Sequence, residues 1–173
     1  MMIANAVLAK WNVLDEEMAA AEILPCCGSL RWARELAQAR PIAGETELLD
    51  CSDAVWLKLA PLDWDEAFRS HPRIGERKAA ETATQRSVEW SRQEQSEIDL
   101  LNGALRAELE LKNRLYEERF GHVFLVCANG KSAAEMLASL ERRLKNDPQT
   151  ELEEAVEQQR QITQFRLRKW LET

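Results

Sequence analysis

The stretch Asp63-Trp64-Asp65-Glu66-Ala67-Phe68-Arg69-Ser70-His71-Pro72-Arg73-Ile74-Gly75 sets the reading of the whole chain. Asp63 to Arg69 is a helical pattern, and Pro72 stops it. A proline ring crowds the α-helical backbone of the residue before it, so the helix ends near His71. Gly75 then permits a tight turn that residues with a Cβ resist. The 173 residues include only two histidines, and one of them sits at this rigid break. Imidazole is the side chain best suited to exchanging protons near neutral pH, so His71 is a candidate acid/base. For an isolated His-Pro the commoner case is a histidine that merely packs or caps at a helix end.

Working outward, punctuation is sparse: 6 glycines and 5 prolines, as in a mostly helical protein. Towards the N-terminus, Asp15 is placed to cap a helix running to about Leu24, with Glu16 and Glu17 in its first turn and Pro25-Cys26-Cys27-Gly28 as its break. Ser29 caps a second helix, Leu30 to Ala39, with Leu30, Ala33 and Ala37 on one face and Trp32 and Leu36 nearby; Arg40-Pro41 ends it. A third helix spans about Glu45 to Leu59 and stops at Pro61, after which Asp63 caps the short helix that delivers His71.

Towards the C-terminus, residues 76–86 are charged and small, without an apolar period, and read as a partly ordered connection. A long helical run from Ser91 to about Arg119 carries Ile98, Leu101, Leu105 and Leu109 as one buried stripe, and Gly121 closes it. Phe124-Leu125-Val126-Cys127-Ala128 is the core of the only strand-like run. A lone strand makes no sheet, so it reads as a buried extended segment whose backbone needs partners, a ligand among them. Ser132 starts a further helix with Ala133, Met136, Leu137, Leu140 and Leu144 on one face. Asp147 and Pro148 open the last, which runs to about Leu171. The expected fold is all-α: a single domain, residues 1–173, of about seven or eight helices with one short extended segment.

Composition narrows the function. The net charge of −7 and the lack of a basic block argue against nucleic acid as a partner. The four cysteines contain no C-x-x-C pair, and the apolar N-terminus is too short for a signal peptide or a membrane span. Reduced thiols in the cytoplasm are therefore expected, and no membrane. Two histidines without metal-ligand spacing, and no nucleotide-binding glycine motif, leave little room for zinc, haem or nucleotide roles. Polar residues at helix ends remain. Ser91 and Glu94 have the S-x-x-E spacing of a capping box, whose ordinary meaning is structural. Arg166 lies among Ile162, Phe165 and Leu167, where an arginine often snorkels or pairs with an acid.

Taken in order, His71-Pro72 with Ile74-Gly75, Ser91-x-x-Glu94-Gln95, and Tyr116-x-x-Arg119-Phe120-Gly121-x-x-Phe124 resemble one family. So do Glu141-Arg142-Arg143-Leu144-x-Asn146-Asp147, Ile162 leading to Arg166-Leu167, and the Trp32 helix running into Arg40-Pro41. That family is the 2-oxo-4-hydroxy-4-carboxy-5-ureidoimidazoline (OHCU) decarboxylases of uric acid breakdown. The resemblance covers about Asn12 to Leu171. The chain departs from the family pattern at Arg73, where an acidic residue is usual, and at Ser96 to Asp99, where Ala-Gly often follows Glu94-Gln95. Its interval between His71 and Glu94 is a few residues longer than in many members.

The resemblance implies a decarboxylase without metal or other cofactor, converting OHCU to (S)-allantoin with protonation on one face. It implies His71, Glu94 and Arg166 as catalytic residues. Pro72, Ser91, Gln95 and the backbone of Phe124, Leu125, Val126, Cys127 and Ala128 are implied as substrate contacts, and a homodimer as the assembly. Two other readings stand beside it: a helical partner-binding module in which these motifs are caps and core, and a metal-free lyase or hydrolase for another purine-derived substrate.

Overall fold

The computed structural model describes residues 5–75, 84–94, 96 and 103–173. Among them are nine α-helices and no strand: α1 (Ala6–Asn12), α2 (Glu16–Cys27), α3 (Leu30–Gln38), α4 (Glu45–Trp56), α5 (Pro61–Arg69), α6 (Gln85–Glu94), α7 (Gly103–Phe120), α8 (Ala133–Arg143) and α9 (Pro148–Leu171). The all-α expectation holds. The two helices beyond seven are α1 and α6; the sequence reading took only the last residues of α6, from Ser91, as the start of its long run, and residues 97–102 between α6 and α7 lie outside the described residues. No helix among the described residues is long and apolar enough to cross a membrane.

The chain divides into two compact units, Met1–Ala67 with Arg160–Thr173, and Phe68–Gln159. The first unit is built on α1 to α4, most of α5 and the C-terminal part of α9. Asp15 caps α2 by accepting from the Met18 N–H at 2.8 Å, and Ser29 caps α3 by accepting from Trp32. Pro25 does not break α2. It lies in the last turn, where it forfeits one backbone bond, and the helix continues to Cys27. The break comes at Gly28 (φ 92°), a left-handed position that favours glycine; its N–H donates to the Leu24 carbonyl. Pro61 likewise starts α5 instead of merely stopping α4, which ends at Trp56. Asp63 lies in the first turn of α5 and accepts from the Ala60 N–H at 3.0 Å.

Trp11, Trp32, Trp56 and Trp170 are buried in this unit together with Ile23, Leu36 and Leu48. Arg40 ties its loops: Nη1 donates to the carbonyls of Trp11 and Leu14, and Nε to that of Ala37. Asn12 and Ile42 exchange two hydrogen bonds, at 2.8 and 3.0 Å. All four cysteines are free thiols, Cys26 and Cys27 buried, Cys51 and Cys127 half-buried.

The second unit is organised on α7. Leu109, Asn113 and Tyr116 recur at helical spacing and are buried. A single core joins Leu109 and Tyr116 to Ile74, Phe124, Val126, Ala128, and the Ala133, Met136 and Leu140 face of α8. Leu105, expected on the buried stripe, is 38% exposed, because the inward face passes through Leu109 and the polar Asn113 instead. Ile98 and Leu101 of that stripe lie outside the described residues, as does most of the 76–86 connection. Ser132 and Glu135 form a capping box at the start of α8, and Asp147 caps α9 by accepting from the N–H groups of Gln149 and Thr150.

Candidate active site

α5 ends at Arg69, and the His71 N–H closes its last turn on the Phe68 carbonyl at 3.1 Å. Pro72 prevents continuation, as the sequence predicts. His71 is 7% exposed, and its Nε2 is shielded from solvent. The turn behind it is anchored to α7: Asn113 Nδ2 donates to the Ile74 carbonyl at 2.9 Å, and Arg73 grips Glu117 with both ends of its fork, Nη2 to Oε2 at 2.8 Å. The positive charge that distinguishes position 73 is thus matched by a carboxylate one helical turn along α7 from Asn113. Gly75 takes φ 88°, which completes the turn. The second histidine, His122, packs between Phe68 (5.1 Å between ring centres) and Tyr116 (5.5 Å), so it forms part of the support for the His71 turn.

α6 overturns the capping-box reading of Ser91 and Glu94. The helix begins at Gln85, preceded by Thr84, whose Oγ1 accepts from the Ser87 N–H; Ser91 lies well inside it. Ser87, Trp90 and Ser91 are buried and Glu94 is half-buried. The i, i+3 spacing therefore places the Ser91 hydroxyl and the Glu94 carboxylate on the inward side of a helix instead of at its start. Gln95 lies outside the described residues.

The extended segment has the predicted character: Phe124, Leu125, Val126 and Ala128 are each buried, and none is in a strand. Much of its backbone is already satisfied by side chains. Arg143 Nη1 donates to the Leu125 carbonyl at 2.5 Å, the Cys127 N–H donates to Gln158 Oε1 at 2.8 Å, and Lys131 Nζ donates to the Cys127 carbonyl at 2.6 Å. The N–H and C=O of Val126, between them, make no hydrogen bond among the described residues.

In the first unit, Arg166 is fully buried on α9, and its Nη1 donates to the Pro25 carbonyl at 3.4 Å. Full burial removes the snorkelling reading. The neighbouring Cys27 thiol is pushed up to about 12, by burial first, against the Ser29 N–H, Thr163 and the Arg166 charge, which pull it down. Cys27 is therefore an inert neutral thiol.

Sequence reasoning passed over the buried cluster behind the extended segment. Arg143 and Glu151 are both 0% exposed, with Arg143 Nε and Nη2 on Glu151 Oε1 at 2.9 and 2.5 Å. The Tyr116 hydroxyl donates to the same oxygen, and Asn146 Nδ2 donates to Oε2 at 2.9 Å. Burial pushes the Tyr116 phenol above its ordinary range, against the lowering effect of Arg143. The available signal was position: Met136, Leu140 and Arg143 fall on one helical stripe, and an arginine there must bury its charge against a partner.

The second unit thus carries a buried imidazole at a rigid helix end, a hydroxyl and a carboxylate on the inward face of α6, and an extended segment whose Val126 backbone groups make no hydrogen bond among the described residues. The comparison with known proteins then places the chain: the OHCU decarboxylase family model matches residues 12–168, and the chain belongs to that family. It is 33% identical to the 2-oxo-4-hydroxy-4-carboxy-5-ureidoimidazoline decarboxylase of Amia calva, over 74% of this chain and 73% of that protein. It is 31% identical to the uric acid degradation bifunctional protein TTL of Arabidopsis thaliana over 83% of this chain, which spans only 44% of that longer protein. A crystal structure of OHCU decarboxylase in the presence of (S)-allantoin superposes with a TM-score of 0.75 at 32% identity, covering 88% of this chain and 98% of that one.

Proposed function

We propose that the chain decarboxylates OHCU to (S)-allantoin, with His71 and Glu94 handling the protons and Arg166 holding the anionic end of the substrate. Support comes from the family match over residues 12–168, which spans all three residues, together with the buried, pinned imidazole. The reaction breaks the bond between the carboxylate carbon and the ring. CO₂ leaves, and the electron pair delocalises into the adjacent C=N of the substrate, which is its own electron sink. A proton is then added to carbon on one face and another to the ring nitrogen that received the electron pair, while the hydroxyl gives up its proton to become a carbonyl. Per turnover, one proton is taken up for each carboxylate lost.

His71, positioned by the α5 break, is the group that exchanges protons with substrate, and Glu94 orients it. Ser91, Pro72 and Gln95 line the substrate. Within the 124–128 segment, Val126 offers a donor and an acceptor on one extended residue, which suits the planar amide edge of a ureide. Arg166 supplies a planar fork that lysine does not reproduce. The assembly inferred from the family is a homodimer, which light scattering reads directly, and the free thiols suit a reducing cytoplasm.

The deciding experiment is His71→Asn with freshly prepared OHCU, followed by the optical activity of the allantoin formed, since uncatalysed decay is racemic. Loss of general acid–base help lowers the stereospecific rate by about 10²–10⁴-fold with the melting temperature unchanged. A folded His71→Asn protein that keeps most of that rate removes His71 from the mechanism.

A further inference from the structure

We propose that Arg143 and Glu151 are positioning residues for this reaction: their buried ion pair, acting through the Leu125 carbonyl, sets the 124–128 segment in the geometry that receives the substrate. The proposal rests on the function inferred above. Its starting point is that stability alone does not account for the pair. Taking two full charges out of water is costly, and well-packed apolar residues of similar volume commonly serve a core equally well. Arg143 and Glu151 nevertheless sit at 0% exposure, in the same unit as His71 and Glu94.

What the pair does locally is unusual for a core ion pair. An extended segment outside any sheet has no ladder to fix its register, so side chains must hold its backbone. Arg143 reaches it with a charge-assisted bond to the Leu125 carbonyl, while its guanidinium lies over the Phe124 ring at 4.6 Å. Glu151 fixes the other edge of the fork through Nε and Nη2, so the guanidinium has a single orientation. Tyr116 and Asn146 complete the carboxylate's shell. The Tyr116 ring meets Phe124 at 5.2 Å and His122 at 5.5 Å, and His122 packs on Phe68, one turn before His71. One cluster thus supports both the segment carrying Val126 and the turn carrying His71. A shift of the Leu125 carbonyl moves the adjacent Val126 N–H and C=O, because they share the intervening peptide plane and its neighbour.

The test replaces the pair with apolar residues, Arg143→Met/Glu151→Leu, and compares it with Arg142→Ala as a control one residue away on the exposed face. Decarboxylation kinetics, melting temperature and amide hydrogen exchange are read together. The expected result is a folded double variant with KM for OHCU raised about tenfold or more, faster exchange in 124–128 than in the rest of the second unit, and an unchanged Arg142→Ala. Wild-type KM and wild-type exchange in the segment overturn the proposal. If the double variant does not fold, Arg143→Lys decides: it keeps the charge but cannot hold Glu151 and Leu125 together, so an unchanged KM refutes the positioning role. Should the wild-type protein not act on OHCU, the functional reading falls, while the exchange comparison still decides whether the pair holds the segment.

Discussion

Arg142 and Arg143 are neighbours in sequence, and each pairs with a glutamate of α9, Glu154 and Glu151, one turn apart. The side chains of the first pair are 59% and 25% exposed; those of the second, 1% and 0%. The chemistry is the same and the surroundings are not. Water and salt screen the outer pair, whose fork bonds to Glu154 tie down two side chains that solvent would satisfy anyway. The inner pair has no solvent to fall back on, so each member depends on the other. A short, equally well-formed contact in the two places therefore means different things: surface decoration in one, a fixed internal strut in the other.

The largest effect separating them is predicted for Arg143→Ala. It leaves the Glu151 carboxylate buried without its cation, a loss of about 3–5 kcal/mol. For a chain of this size that lowers the melting temperature by roughly 6–20 °C. A fall of only a degree or two, measured by calorimetry or circular dichroism, means that water reaches Glu151 and the contrast between the two pairs collapses. Tyr116→Phe is expected to come next. It keeps the ring packing but deletes the hydroxyl that donates to Glu151, while Arg143 still serves that oxygen, so the cost is about 1–2 kcal/mol. A cost equal to that of Arg143→Ala would show that the phenol, not the guanidinium, holds the carboxylate.

Arg142→Ala has the smallest predicted effect, about 0–1 kcal/mol and less in high salt. Its clearest signature lies in pH. The hydrogen bond from Arg142, opposed by partial burial and aided by Arg143 and Asn146, holds the Glu154 carboxyl below its ordinary value of 4.5. A carboxyl depressed in the folded state contributes stability above its unfolded pKa and loses it as pH falls through the folded value. Stability therefore declines below about 4.5, and Arg142→Ala makes the decline shallower. An identical acid limb in urea titrations of the two proteins removes the outer pair from the pH response.

Local signals carried most of the helical plan. Asp15, Ser29, Ser132 and Asp147 all cap where the sequence expects, because a cap depends on residues two or three positions away. The misreadings came where two local rules compete or where burial decides. Pro25 looked like a breaker, but a helix tolerates it near its end when a glycine terminates the helix three residues later. Ser91-x-x-Glu94 has the pattern of a cap, yet Thr84 starts α6 earlier. The buried Ser87, Trp90 and Ser91 show that its inward face, not its N-terminus, was being encoded. Leu105 looked like core and is exposed, whereas the polar Asn113 is buried because it tethers Ile74.

By itself, the sequence determined the all-α class, the stop that pins His71, the extended character of 124–128 and, through the order of its motifs, the family. Each of these depends on backbone sterics or on a pattern along the chain, and both can be read without knowing what lies across the fold. Only the tertiary structure decided that Arg73 answers Glu117, that Arg143 rather than Arg142 is the buried arginine, and that Leu125 and Cys127 have already given part of their backbone to Arg143, Gln158 and Lys131. A charge is cheap or costly according to the water around it. That quantity belongs to the packed chain, not to any stretch of it.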